Sequence, residues 1–124
     1  MKIEFVLPFP PSTNAKYGMN GKKRVKGADV KKWITKAHSA MNKQNIIQQM
    51  TERCILIYEL FVPDGRLRDD SNYVKYTTDF LVERGIIPGD DRRHVKGTYS
   101  FWNDDPGKYI KVSIVSVDSF NAIY

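Results

Sequence analysis

The chain has 124 residues and a mass of 14.3 kDa, and 41% hydrophobic and 12% aromatic content exclude disordered, collagen-like and low-complexity classes. No apolar run is long enough to span a membrane, and the single Cys54 excludes an internal disulfide, which favours an intracellular, reducing location. Twenty Lys and Arg against fourteen Asp and Glu give a net charge of +6, and ten basic against two acidic residues in positions 1–50 favour a nucleic-acid partner.

The first half of the chain predicts a strand, a basic ribbon and a helix. Apolar and polar residues alternate over Lys2–Leu7, which predicts a strand that the following prolines end. The pair Asn20-Gly21 is the strongest two-residue hairpin signal, so residues 17–25 predict a projecting basic ribbon. Apolar residues at helical spacing predict a helix that opens near Asp29 and continues to about Met50.

The second half predicts three strands and another helix. Cys54–Val62 is almost continuously apolar, which is typical of a central strand covered on both faces. A helix follows and ends near Gly85, and Val95–Trp102 and Tyr109–Val117 predict the last strands. We therefore expect a single α+β domain over residues 1–124, with a mixed sheet of about four strands and two main helices.

Two pairs of aspartates flank the second predicted helix. Asp69-Asp70 lie where the long strand leads into this helix, and Asp90-Asp91 lie in the loop after it. If that loop folds back along the helix the two pairs converge, and such carboxylates form the oxygen site that Mg²⁺ or Mn²⁺ prefers. The alternative is structural, because Asp pairs are also common in turns and at helix N-termini.

A lysine near the first acidic pair is a further candidate for chemistry. Lys75 lies in the first turns of the second predicted helix, four residues before Asp79. It either forms an i,i+4 ion pair with Asp79 or holds the phosphate of a substrate. Cys54 has apolar neighbours and is interpreted as an inert core residue.

Four segments in order carry a family resemblance. They are LPFPPSTN (Leu7–Asn14), RDDSNYVK (Arg68–Lys75), DFL (Asp79–Leu81) and GII (Gly85–Ile87) before Asp90-Asp91. With this order and spacing, the chain resembles the RusA family of Holliday junction resolvases, small endonucleases commonly carried by phages and prophages. The resemblance implies a homodimeric nuclease that cuts four-way DNA junctions with Mg²⁺, for which Mn²⁺ can substitute. It further implies no organic cofactor, no membrane partner and a place in the cytoplasm of a bacterial host.

The resemblance also implies roles for individual residues. In the family motif Asp-x-Asp-Asn-x-x-Lys, the first aspartate falls on Asp69, the asparagine on Asn72 and the lysine on Lys75. A later family aspartate falls on Asp91, or on Asp90 if the loop is aligned without a gap. The implied catalytic residues are Asp69, Asp91 and Lys75, the implied metal ligands are Asp69, Asp70, Asp90 and Asp91, and the supporting residues are Ser71, Asn72 and Asp79.

The chain departs from the motif at one position. Ser71 stands where the family has its second aspartate, and an extra acid, Asp70, precedes it. A one-residue shift turns a helical side chain by about 100°, so Asp70 does not simply replace the missing ligand. Two functions therefore stay open, a resolvase and a catalytically impaired RusA-like DNA-binding protein. A more distant alternative is a basic RNA-binding or structural protein in which the Asp pairs are only turns.

The expected DNA contacts are basic residues and one asparagine. They are Asn14, Lys22, Lys23, Arg24, Lys26, Lys31, Lys32, Arg66, Arg68, Arg92 and Arg93, with Lys36 on the same helix face as Lys31 and Lys32. Contacts of this kind bind phosphates, depend steeply on salt and carry no sequence information. Ile86-Ile87 and residues 120–124 are the apolar patches expected at a dimer contact.

Overall fold

A computed structural model of the chain describes residues 1–13, 27–65 and 68–123. The strands are β1 (Lys2–Pro8), β2 (Cys54–Val62), β3 (Val95–Pro106) and β4 (Tyr109–Ser116), and the helices are α1 (Ala28–Lys43), α2 (Lys75–Arg84) and α3 (Val117–Ile123). A short 3-10 helix, Asp70–Tyr73, precedes α2. This is the predicted α+β fold, whereas the predicted ribbon of residues 17–25 lies outside the described residues. In those residues no helix is long and apolar enough to cross a membrane.

The four strands form one mixed sheet in the order β1-β4-β2-β3. The β1/β4 and β4/β2 pairs are antiparallel, and the β2/β3 pair is parallel. A parallel pair needs a long crossover, and here the crossover carries the acidic segment and α2. The central place of β2 is confirmed, but its predicted cover on both faces is only partial, because Ile57, Glu59 and Phe61 are half-buried.

The core lies between one face of the sheet and helices α1 and α2. The buried residues include Ile3, Phe5 and Leu7 of β1 and the predicted stripe Val30, Trp33, Ala37 and Met41 of α1. The rings of Trp33 and Phe80 meet edge to face at 5.6 Å between centroids, which packs α1 against α2. The fully buried Tyr58 of β2 shares a 2.7 Å hydrogen bond with Thr78 of α2. These contacts fix α2, and with it the acidic segment, on the sheet.

Helix α1 ends at Lys43, so its predicted extension to Met50 is wrong. Asn45 adopts a left-handed φ of 57°, which the helix cannot continue through. The side-chain amide of Gln44 turns to the edge of β1, where it accepts a hydrogen bond from the Val6 N–H at 2.9 Å and donates to the Val6 carbonyl at 2.7 Å. The helix therefore ends where the side chain of its C-cap residue, Gln44, forms hydrogen bonds with the backbone of the edge strand β1.

The C-terminal half differs from prediction in three places. Strand β3 continues to Pro106, four residues beyond its predicted end at Trp102. Strand β4 ends at Ser116, and the helix α3 that follows it is not predicted. Ile86 and Ile87 are 3% and 1% exposed, so they belong to the core and the predicted dimer patch there is wrong.

Candidate functional site

The acidic segment that opens the crossover begins with Asp69. This residue caps the 3-10 helix, since its carboxylate accepts hydrogen bonds from the Ser71 backbone N–H at 3.1 Å and from the Ser71 hydroxyl at 3.0 Å. These two bonds hold the pKa of Asp69 below its usual value. The side chain is exposed, so a charged carboxylate faces solvent at neutral pH. This is the helix N-terminal role that the sequence leaves open for the Asp pair.

The extra acid, Asp70, is turned toward the sheet. Its Oδ2 accepts a hydrogen bond from the hydroxyl of Ser100 at 2.5 Å, and both side chains are half-buried. Ser100 is the register partner of Tyr58, which places its side chain on the face of the sheet that α2 covers. Strand β3 thus anchors the acidic segment. Sequence reasoning missed Ser100, although the alternation along β3 puts it on this face.

The Pro-rich loop after β1 contacts the same segment. The backbone N–H of Thr13 at 2.9 Å and its hydroxyl at 3.3 Å both donate to the carbonyl of Asn72. In the same loop Phe9 packs on Tyr73 and Trp102, at 5.1 and 6.3 Å between ring centroids. The first two motifs are therefore in contact in the fold. No pattern in the sequence signals the aromatic cluster.

Lys75 is the first residue of α2, and its Nζ lies 3.6 Å from Oδ2 of Asp79. This is the i,i+4 pair that the sequence allows. The Lys75 side chain is 67% exposed, and exposed pairs of this kind contribute at most about 1 kcal/mol. The ion pair is therefore weak enough to give way to an approaching phosphate.

The second acidic pair lies in the turn that leads into β3. Both oxygens of Asp91 accept hydrogen bonds from Arg93, from its backbone N–H at 2.9 Å, its Nε at 3.2 Å and its Nη2 at 2.8 Å. The Arg93 guanidinium, helped by the backbone bond, lowers the pKa of Asp91 to about 2. Asp90, Asp91, Arg92 and Arg93 are all exposed. A charged Asp91 is thus available at neutral pH, with Arg93 competing for it.

The acids do not form one close group. In residues 1–13, 27–65 and 68–123, no three His, Cys, Asp or Glu side chains are arranged so that they can hold a metal ion. Burial raises the pKa of Tyr58, and the charges of Asp79 and Asp90 raise it further. The assignment of Asp69, Asp70, Asp90 and Asp91 as metal ligands therefore stays a prediction.

The described part of the basic surface lies on α1. Lys31, Lys32 and Lys36 are exposed there, and a groove of about 280 Å³ separates the helix from the Pro-rich loop. Lys32 and Lys36 line this groove together with Trp33. Asp29 lines the groove as well, so the two ammonium groups offer a place for a DNA phosphate in which one carboxylate competes for them.

The other predicted DNA contacts fall in three groups, the first of which is the exposed pair Arg92 and Arg93 in the turn before β3. The guanidinium of Arg68 forms a two-pronged ion pair with Asp64, and only 10% of its side chain is exposed. A DNA phosphate would have to displace Asp64 to reach it. The predicted contacts Asn14, Lys22, Lys23, Arg24, Lys26 and Arg66 lie outside the described residues.

Comparison with models of protein families decides the assignment. The model described as endodeoxyribonuclease RusA matches residues 8–113. The chain belongs to the RusA family. The match starts at Pro8, the last residue of β1, and ends within β4, so it includes both acidic pairs and all of the four segments except Leu7. The resemblance found in the sequence is confirmed. None of the curated proteins compared with the chain matches it.

RusA-family nucleases generally depend on a divalent metal. The donors in this chain fit such an ion in their chemistry, because Asp69, Asp90 and Asp91 are exposed and carboxylate oxygens are what Mg²⁺ prefers. Two contacts within the protein compete with a metal ion for the predicted ligands. Arg93 occupies both oxygens of Asp91, and Ser100 engages one oxygen of Asp70. Asp69 accepts both of its hydrogen bonds from Ser71 on the single oxygen Oδ1.

Proposed function

We propose that this RusA-family chain is a Mg²⁺-dependent endonuclease that resolves four-way DNA junctions by paired phosphodiester hydrolysis as a homodimer. The observation that carries the proposal is the family match over residues 8–113, which spans every candidate residue from Asn14 to Arg93. The anchoring of the acidic segment supports it, because Ser100 holds the segment from β3 and Thr13 holds it from the Pro-rich loop. A charge fixed before the substrate arrives stabilises a transition state without reorganisation.

The chemistry is distributed over the two acidic pairs and Lys75. Asp69, Asp90 and Asp91 would hold Mg²⁺, which when bound activates water and offsets charge on the phosphodiester. Asp69 enters the reaction already ionised, because Ser71 donates two hydrogen bonds to its carboxylate. Lys75 leaves its weak pair with Asp79 and offsets the negative charge that develops on the scissile phosphate.

The basic surface supplies affinity without sequence preference. Lys31, Lys32 and Lys36 of α1 bind the phosphates of a junction arm, and Lys22, Lys23, Arg24 and Lys26 are further predicted phosphate contacts. Each phosphate contact releases counterions, so the affinity falls steeply as salt is raised. Selection of the junction over plain duplex then depends on the shape of the DNA and on the symmetry of the protein.

The proposed homodimer matches the symmetry of its substrate. A four-way junction has an approximate two-fold axis, and a two-fold dimer presents two identical sites to opposing strands. Each protomer cuts one strand, and the two cuts separate the junction into two nicked duplexes. A monomer would leave the junction cut on one side only.

A supercoiled plasmid that extrudes a cruciform tests paired cutting. Two incisions within one bound complex convert the plasmid directly to the linear form, whereas independent incisions give relaxed circles first. We expect linear product in Mg²⁺ or Mn²⁺ and none in EDTA, with a plasmid lacking the inverted repeat as the matched control. Relaxed circles without linear product would contradict paired cutting, and intact plasmid in both metals would contradict the nuclease.

Ser71 favours a second candidate function. The chain lacks one motif carboxylate, and no three acids are grouped in its described residues. These two observations favour a protein that binds junctions without cutting them. Thermal melts separate the two functions, since a ligand that binds only the folded chain stabilises it in proportion to RT ln(1 + [L]/Kd). A rise in Tm with Mg²⁺ supports the nuclease. An unchanged Tm together with a tight junction complex supports the binding protein.

A further inference from the structure

The side chains of Asp91 and Arg93, in the turn that leads into β3, form an ion pair that is open to solvent. Arg93 donates from Nη2 to Oδ2 of Asp91 at 2.8 Å and from Nε to Oδ1 at 3.2 Å. The Arg93 side chain is 79% exposed and the Asp91 side chain 48%. Water and salt screen an exposed pair, so it contributes little free energy. The guanidinium can therefore leave Asp91 for a competing anion.

The backbone of this turn is fixed independently of the ion pair. The carbonyl of Asp91 accepts hydrogen bonds from the N–H groups of His94 and Val95, both at 2.9 Å. The N–H of Arg93 donates to Oδ1 of Asp91, also at 2.9 Å. All three bonds stay in place when the guanidinium leaves. The carboxylate then keeps its orientation, with its Oδ2 released.

The surroundings of the pair attract phosphates. Arg92 is exposed beside it, Lys96 is exposed at the start of β3, and the exposed Arg53 donates from Nε to the carbonyl of Arg92 at 2.9 Å. The exposed acids Glu52 and Asp90 lie next to these residues in the sequence, and the three cations outnumber them. A DNA phosphate brought to this turn therefore meets an excess of positive charge.

Two exchanges at this pair favour each other. A DNA phosphate competes with Asp91 for Arg93, and a metal ion competes with Arg93 for Asp91. We propose that Arg93 couples the binding of DNA to the binding of metal. Without DNA its guanidinium occupies both oxygens of Asp91, and a DNA phosphate draws it away and releases the carboxylate to the ion.

The coupling deepens the proposed function and rests on it, because it takes Asp91 as a ligand of the metal ion. Linkage requires that DNA raises the affinity for metal by the same factor by which metal raises the affinity for DNA. The Arg68 guanidinium also forms a two-pronged pair, with Asp64, but its side chain is only 10% exposed. Exposure therefore makes Arg93 the arginine that exchanges its partner.

Binding of Mn²⁺ without DNA tests the first exchange. The electron paramagnetic resonance signal of unbound Mn²⁺ measures the affinity of the chain for this ion. Arg93→Ala leaves Asp91 unpaired and should tighten Mn²⁺ binding about fivefold, roughly the most that an exposed ion pair contributes. Arg92→Ala is the matched control, since it removes the same charge from the same turn but leaves Asp91 paired. Its affinity should stay within about twofold of the wild type.

Binding of a labelled four-way junction in EDTA tests the second exchange. Fluorescence anisotropy over a range of salt concentrations gives the slope of log affinity against log salt. Arg93→Ala should weaken binding and reduce the slope by about 1, because one phosphate contact is lost. Arg93→Lys keeps the charge but not the two-pronged geometry, so it should keep the slope and still tighten Mn²⁺ binding in part. Far-UV circular dichroism checks folding, and Arg93→Lys carries both measurements if Arg93→Ala does not fold.

The outcomes separate the coupling from the nuclease. Equal Mn²⁺ affinity in Arg93→Ala and Arg92→Ala, or no Mn²⁺ binding by Arg93→Ala, would overturn the proposal, since Arg93 would not compete with metal for Asp91. An unchanged salt slope in Arg93→Ala would overturn it as well. The expected Mn²⁺ and salt results without cleavage by the wild type would keep the coupling and refute the nuclease. Cleavage by the wild type without those results would refute the coupling alone.

Discussion

Asp69→Asn removes one charge at the start of the acidic segment and preserves the shape of the side chain. The amide oxygen of Asn accepts from the Ser71 backbone N–H just as the carboxylate does now at 3.1 Å. Asn is as good a cap as Asp, and the exposed site leaves no buried group without a partner. The free energy of unfolding at pH 7 should therefore be almost unchanged.

The same substitution should change how stability depends on pH. The bonds from Ser71 lower the pKa of Asp69 below its usual value of 3.8. A lowered pKa means that the charged cap stabilises the fold above the usual value and that this stabilisation is lost as the pH falls through the lowered one. Urea melts across this acid range should therefore show a smaller loss of stability in Asp69→Asn than in the wild type.

The effect on cleavage should be far larger than the effect on stability. A neutral amide attracts a divalent cation much less than a carboxylate does, so the single-turnover cleavage rate should fall by about 10²-fold or more, roughly 2.7 kcal/mol in the barrier. Junction affinity in EDTA should be unchanged or tighter, because one charge that repels phosphates is gone. Gel shifts and cleavage of the same labelled junction measure both quantities.

Asp104→Asn is the matched control, since it makes the same change of charge at an exposed residue of β3. It should cut at the wild-type rate. Cleavage by Asp69→Asn at the wild-type rate would refute the reasoning, because Asp69 would then not act in the reaction. Loss of junction binding by a folded Asp69→Asn would also refute it, since the carboxylate would then be a DNA contact.

Three other substitutions or treatments test the surroundings of this site. Ser71→Asp places a second carboxylate beside Asp69 and should lower the Mg²⁺ concentration for half-maximal cleavage; an unchanged or higher value would show that the Ser71 hydroxyl has a role of its own. Ser100→Ala removes the hydrogen bond to Asp70 and should cost about 1 kcal/mol in urea melts and slow cleavage a few-fold, whereas full activity would show that the segment needs no anchor. Burial raises the pKa of the Cys54 thiol to about 11, so a disulfide reagent at pH 8 should react with the folded chain only as fast as it unfolds, and rapid reaction would contradict the buried position.

The fold was predictable where hydrophobic periodicity reflects burial. The alternation in Lys2–Leu7 and the stripe of α1 identified buried residues correctly, because one face of each element packs in the core. The end of α1 was not predictable, since it depends on Gln44 reaching Val6, a contact 38 positions away in sequence. Helix α3 was missed for a similar reason, because its Phe120 stacks on Tyr99 of strand β3, a contact between residues distant in sequence.

The position of the candidate site stays a prediction, and its contacts could not be predicted from the sequence. Motif spacing identified Asp69 and Asp91 from the sequence, and the family match confirms the family from which those positions were inferred. Ser71 and Arg93 each lie two positions after one of these aspartates, but the sequence does not indicate which atoms they bond. Ser100 is 30 positions from Asp70, so only the parallel pairing of β2 and β3 brings it there.

Cleavage of a labelled synthetic four-way junction is the direct test of the proposed junction-resolving nuclease. The junction is incubated with the wild-type chain in Mg²⁺, in Mn²⁺ and in EDTA, beside a linear duplex of the same sequence. We expect paired cuts in opposing strands of the junction with either metal, and none in EDTA or on the duplex. A tight junction complex without cuts in both metals would contradict the nuclease and leave a RusA-family binding protein, and equal treatment of junction and duplex would contradict both.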